Sequence, residues 1–212
     1  MLSYRVALAN LHTLENSIMG KIYAVMGKSA TGKDTVYKKL LERFEGRFKN
    51  VILYTTRPIR PGETDGIEYY FVNAAEKDRM QKEGKILEIR RYDTVYGPWW
   101  YFTADDGQID LDKNDYMMIT TLAGYEQIRD HFGEDRVVPI YTYVDDYTRL
   151  SRAIDRERKQ GTPGYSEVCR RYLADERDFS ESELNRLGVT KRFVNDDLSR
   201  CLEEIVAWIS TK

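Results

Sequence analysis

Residues 27–35 of the chain read GKSATGKDT, and glycines spaced ahead of a lysine in this way can hold a polyphosphate. Gly27 and Gly32 let the backbone curl so that the N–H groups of Lys28, Ser29, Ala30 and Thr31 face inward. There they and the positive end of a following helix meet an anion. Lys33 then reaches the β and γ phosphates of a nucleoside triphosphate such as ATP. The motif expects Ser or Thr directly after the lysine as a magnesium ligand, whereas this chain has Asp34 followed by Thr35. Mg2+ is therefore expected at Thr35, at waters or at the Asp34 carboxylate.

Further along, residues 54–72 read YTTRPIRPGETDGIEYYFV. Arg57 and Arg60 lie on a segment stiffened by Pro58 and Pro61, which limits the entropy lost in aiming both guanidinium forks at one target, and a phosphate monoester suits them. A second basic run fills residues 149–179, where Gly161, Pro163 and Gly164 interrupt a helix–loop–helix stretch and form a loop able to reorient.

These groups need a scaffold. The apolar stretch at residues 22–27 stops at a glycine, as a buried strand feeding a phosphate loop must, and in residues 33–44 Val36, Leu40, Leu41 and Phe44 recur at helical spacing. Further strands are expected at 50–55, 116–122 and 137–144. A last one, KRFVN, precedes a C-terminal helix with Leu198, Leu202, Ile205 and Ile209 on its apolar face. Strands alternating with helices predict an α/β fold, a parallel sheet covered on both faces in three layers. The 212 residues, 42% hydrophobic, are ample for one domain. The first eighteen residues read as a short helix, a disordered extension or an upstream start-codon assignment.

Charge and cysteine content narrow the partners. The 33 basic and 35 acidic side chains leave a net charge of −2, so nothing draws the whole chain to nucleic acid or to an anionic membrane, and any anion site is local. Cys169 and Cys201, with His12 and His131, show no metal-ligand spacing and are expected to be reduced thiols of a cytoplasmic protein. No apolar run approaches the roughly 20 residues that span a bilayer.

Taken in order, the phosphate loop, TTRPIRPGETDGIEYYFV, GKILE (84–88), Tyr96-Gly97 and FVNDD (193–197) give a chain that resembles the guanylate kinase family from residue 21 to the C-terminus. The resemblance implies a P-loop kinase fold with a core at 19–52, 111–144 and 181–212, an acceptor-binding insertion at 53–110 and a helical lid at 145–180. It implies ATP as donor, with Asn195 on the ATP side, and GMP or dGMP as acceptor. It places Arg57, Arg60, Tyr69, Tyr96 and Gly97 at the acceptor, with Glu88 as base reader. Arg156 and Arg171 fall on lid arginines that act with Lys33 and Arg57 in catalysis. A third lid position is Gln160 here, for which Arg158 or Lys159 could substitute.

Glu88 suits its role chemically, since a carboxylate accepts through two oxygens and guanine offers adjacent N1–H and N2–H2 donors. Adenine has an acceptor at N1. The chain departs from the family around the base. Leu53 and Pro98 stand where hydroxyl residues are usual, and Ile119 and Thr121 stand where aspartates are usual. Thr121 keeps one hydroxyl for the acceptor. Fewer hydrogen-bonding groups leave a kinase for another phosphorylated acceptor open. A non-catalytic binding module is the remaining alternative, against which the complete phosphate loop argues. Monomer and homodimer stay equally open.

Overall fold

The computed structural model describes residues 19–94, 97–161 and 163–212. The N-terminal extension, residues 1–18, lies outside the described residues. Five parallel strands make the main sheet in the order β2-β7-β1-β8-β9. They are β1 (Ile22–Met26), β2 (Phe48–Asn50), β7 (Asp115–Ile119), β8 (Val137–Tyr143) and β9 (Arg192–Val194).

The central strand β1 is buried along its whole length, as its unbroken apolar sequence requires of a strand covered on both faces. Its side chains alternate between two cores. Ile22, Ala24 and Met26 pack with Leu122, Tyr125 and Ile128 of helix α3 (Leu122–Phe132). Tyr23 and Val25 pack with Val36 and Leu40 of α1 (Lys33–Arg43) and with Cys201, Ile205 and Ile209 of α7 (Leu198–Ile209). This is the three-layer arrangement that the strand–helix alternation predicts.

A second, four-stranded sheet runs in the order β4-β3-β6-β5, from β3 (Tyr54–Thr55), β4 (Tyr70–Phe71), β5 (Ile86–Thr94) and β6 (Gly97–Ala104). Helix α2 (Ala74–Lys82) lies beside it, its first turn capped by Asn73, which accepts from the Glu76 N–H at 2.8 Å. Met80, Phe102 and Ala104 form the small core between helix and sheet. The strand expected over 50–55 is divided here. Residues 48–50 pair with β7, whereas Tyr54 and Thr55 pair with β4 and β6 of the other sheet. The chain crosses between sheets at Val51 and Leu53, whose side chains stay in the main core, so the apolar run is continuous although the hydrogen-bonded strand is not.

Two helices follow β8: α4 (Asp146–Arg158), capped by Asp145, and α5 (Tyr165–Asp178). The short α6 (Glu181–Arg186) then leads back to the main sheet. All the main strands run parallel, so the loops after β1, β7 and β8 emerge at one edge, where open α/β sheets bind ligands.

Candidate active site

The phosphate loop leaves β1 and is gripped from beneath. The Thr31 hydroxyl donates to the Lys28 carbonyl at 2.9 Å and lies 3.1 Å from the Thr142 hydroxyl, which itself donates to the Met26 carbonyl. A side chain at Gly27 would put its Cβ 2.4 Å from Thr142 Oγ1, so only glycine fits. Gly32 turns with φ +84° and a Cβ there would meet Asn195 Nδ2 at 2.4 Å. Asn195, buried, donates from that nitrogen to the Thr31 carbonyl at 2.8 Å and so braces the loop directly. Ala30 is held at φ 63°, the only non-glycine residue with positive φ among the described residues.

Loop residues 29, 30 and 32–35 line an open cleft of about 320 Å3 together with Arg152, Arg156 and Arg171. The expected Lys33, Asp34, Thr35, Arg156 and Arg171 are thus brought together. Lys33 Nζ lies 3.8 Å from Asp34 Oδ2, and Asp34 is exposed. Arg171 is steadied by Glu167, which accepts from its Nε at 2.8 Å. Arg152 is the cation that the sequence reading missed, and its Nη2 donates to the Asn195 carbonyl at 3.0 Å. It stands four residues before Arg156 on α4, a spacing that puts both on one helix face and could have exposed it. Arg158, offered as a substitute at the Gln160 position, points elsewhere, 3.9 Å from Asp155. Neither it nor Lys159 lines the cleft.

Lys28 turns away from the cleft to Glu176, at 2.7 Å, and the Ser29 N–H donates to Asp175 Oδ2 at 2.7 Å. Those two α5 carboxylates are gathered by Arg149, buried at 2% exposure and stacked over the Tyr172 ring at 4.2 Å. The end of α5 is thereby fastened to the start of the phosphate loop. Lys28 and Thr31 serve the loop's shape, while Ser29, Ala30 and Gly32 are the loop residues ahead of α1 that line the cleft.

Beside the second sheet, Arg57 is buried and held in a fork by Glu63, whose oxygens accept from Nη1 at 2.7 Å and Nη2 at 2.5 Å. Its guanidinium lies over the rings of Tyr69 and Phe71. The hydrogen bond from Arg57 brings the Glu63 carboxyl down to about 2. Arg60 keeps an exposed side chain while its backbone N–H also donates to Glu63, at 2.8 Å. Burial, with the charge of Tyr101 added, raises the Tyr69 hydroxyl pKa, while Arg57 and Arg90 pull it the other way. Tyr69 meets the Arg57 guanidinium at 5.1 Å and packs against Tyr101, which stands opposite Arg90 across the hairpin, so the three share one neighbourhood. Gly97 opens β6 at φ +99°, opposite Thr94; Tyr96 lies outside the described residues.

Glu88 reaches this neighbourhood from β5 through an irregularity in the hairpin, where the register shifts between Ile86 and Glu88 and sets Glu88 opposite Thr103. Its carboxylate is fully buried and accepts from Thr103 Oγ1 at 2.9 Å and from Arg90 Nε and Nη2 at 3.0 and 3.2 Å. Oε2 lies 3.2 Å from where a Cβ on Gly124 would stand, against the first turn of α3. Thr121 caps that helix by accepting from the Gly124 N–H at 3.2 Å. The neighbouring Thr120 is buried, and its hydroxyl has no partner among the described residues. Leu53 packs into the main core.

A guanylate kinase family model matches residues 19–100. Over 202 residues the chain is 32% identical to a guanylate kinase of Symbiobacterium thermophilum, covering 92% of this chain and 87% of the relative. The chain belongs to the guanylate kinase family. A guanylate kinase of a Nostoc species is 28% identical over 195 residues, covering 91% of each chain. Among solved structures, the guanylate kinase from Anaplasma phagocytophilum shares the fold at TM-score 0.58 and 21% identity. That match covers 92% of this chain and 86% of the other.

Proposed function

We propose that this chain transfers the γ-phosphoryl group of ATP to GMP, releasing ADP and GDP. The convergence of Arg152, Arg156 and Arg171 on the cleft floored by the phosphate loop carries the reading. Three cations across the cleft from Lys33 and the start of α1 suit the charge of a polyphosphate and, more so, the charge that develops as a phosphoryl group moves.

In this reading residues 53–110 bind the acceptor, residues 145–180 form the lid, and the remainder holds ATP. The loop N–H groups and Lys33 orient the donor, with Asn195 keeping the loop in shape. Arg57, oriented by Glu63, and Arg60 hold the acceptor phosphate in line, and Tyr69 closes over it. Arg156 and Arg171, with Arg152, neutralise the equatorial oxygens and exclude water that would otherwise take the phosphoryl group. Mg2+ fits Asp34 and Thr35, which stand at the cleft in the first turn of α1 with exposed side chains. Magnesium commonly takes one or two protein oxygens and completes its shell with phosphate and water. When bound it would draw charge from the β and γ phosphates. No helix among the described residues is long and apolar enough to cross a membrane, and we place the activity in the cytoplasm, on free nucleotides.

The reading is tested by coupled ADP release with ATP, Mg2+ and a panel of monophosphates. GMP-dependent turnover well above that with AMP, CMP or UMP is expected. ADP release that ignores every acceptor would overturn it.

A further inference from the structure

Building on the acceptor reading above, we propose that Arg90 reads the 6-oxo group of the base, beside a Glu88 that keeps only one acceptor position free. A carboxylate has about four lone-pair sites. Thr103 and Arg90 Nη2 fill both on Oε1, and Arg90 Nε takes one on Oε2. Glu88 therefore cannot meet guanine N1–H and N2–H2 through its two oxygens while these bonds stand. The one free position is on Oε2, the oxygen over Gly124.

Arg90 is complementary in what it has left. Two of its five N–H donors are committed to Glu88, and the other three have no partner among the described residues. The side chain is 14% exposed and stands opposite Tyr101, whose ring packs edge-on against Tyr69 at 5.6 Å. The pair thus sets one acceptor next to charged donors. A 6-oxopurine offers N1–H beside O6, the same pattern in complement, and a guanidinium is well shaped for guanine O6. Adenine inverts both groups. The buried pair also brings no net charge to a neutral base, which a lone Glu88 would. Thr120 Oγ1 adds a buried, unpartnered hydroxyl on the same side of Gly124, 2.2 Å from the Cβ position there. It is the polar group left for the 2-amino end of the base.

The experiment compares kcat/KM for GMP and 6-thio-GMP, which keeps N1–H and the 2-amino group and replaces O6 by a poor acceptor. It uses the wild-type chain and Arg90→Lys and Arg90→Gln. The wild type should favour GMP by about tenfold or more, the worth of a hydrogen bond to a charged group. Both variants should shrink that ratio to about threefold or less, with KM for ATP changed less than about twofold. A purely structural role would lower activity on both substrates alike and leave the ratio standing. An unchanged ratio in either folded variant overturns the inference for Arg90 alone. If neither variant folds, the wild-type ratio decides, because equal use of the two substrates overturns the inference by itself. Failure of the wild type to use GMP at all overturns the acceptor assignment, and this inference with it.

Discussion

Arg57 and Glu63 face each other as a two-pronged pair, nitrogen to oxygen at 2.7 and 2.5 Å, with Arg57 packed under Tyr69 and Phe71. The carboxylate occupies one edge of the guanidinium and fixes the direction of the rest, and it also accepts from the Arg60 N–H. In the proposed function Glu63 therefore acts on the acceptor phosphate through the two arginines it positions. Glu63→Gln is expected to raise KM for GMP about tenfold while KM for ATP moves less than about twofold. It should cost about 1.5–3 kcal/mol of stability, as for a lost hydrogen bond between charged groups. Equal rises in both KM values would place the pair in the donor site.

The same pair predicts an acid signature. Its bond to Arg57 lowers the Glu63 carboxyl from 4.5 to about 2. A depressed folded value adds stability that is complete above about pH 4.5 and drains away as the pH falls toward 2. Denaturation of wild type and Glu63→Gln across that window should show the difference between them closing. A constant difference down to pH 2 would mean that the pair is not what holds the carboxyl down.

In the cleft at the phosphate loop, position along α4 separates the arginines. Arg156 lines the cleft, whereas Arg158 is exposed and turned to Asp155. Arg156→Ala should lower kcat about tenfold or more with little change in KM for GMP, and Arg158→Ala should leave kcat within about twofold. Lys33→Ala should lower kcat at least about a hundredfold without unfolding the chain, because the ammonium meets developing charge and fills no core. Comparable losses in Arg156→Ala and Arg158→Ala would mean that α4 acts through general charge alone.

Much of this was legible because it is local. The run from β1 through the phosphate loop into α1 carries its glycines, lysine and apolar spacing within one short stretch, so the loop, the sheet type and the order of layers follow from sequence. What was missed depends on tertiary placement. The division of residues 50–55 between two sheets leaves no mark in an apolar run. Arg90 meets Glu88 beside a register shift in the hairpin, and alternation alone does not announce an arginine paired with a buried glutamate two residues before it. At the start of α3, counting back from Gly124 selects Thr121, yet the helix takes that side chain as its cap. The hydroxyl left without a partner belongs to Thr120.

Ala30 offers a test of the loop's geometry. At φ 63° an alanine is held in the left-handed region at a cost of about 1–2 kcal/mol. Glycine would remove that strain and lose about 0.4–1 kcal/mol through a freer unfolded chain. Ala30→Gly should therefore be mildly stabilising, by up to about 1 kcal/mol, and Ala30→Val destabilising by more. Urea denaturation of the three proteins measures this, and a stable Ala30→Val would mean that the loop does not hold this turn in solution.

The Thr120 hydroxyl gives the last prediction, in which stability and function move in opposite directions. A buried polar group without a partner costs about 1–3 kcal/mol in desolvation, and valine has nearly the same shape without the hydroxyl. Thr120→Val should therefore raise the stability of the ligand-free chain by about 1 kcal/mol. If the hydroxyl meets the 2-amino end of the base, the same change removes a bond made only when GMP is present. GMP should then lose about fivefold in kcat/KM, and IMP, which lacks the 2-amino group, should lose little. Thermal melts without nucleotide and kinetics with GMP and IMP read the two effects separately. A variant that is more stable and equally good with GMP would mean that Thr120 carries an uncompensated cost with no role at the base, whereas a destabilised variant would mean that its hydroxyl has a partner in solution.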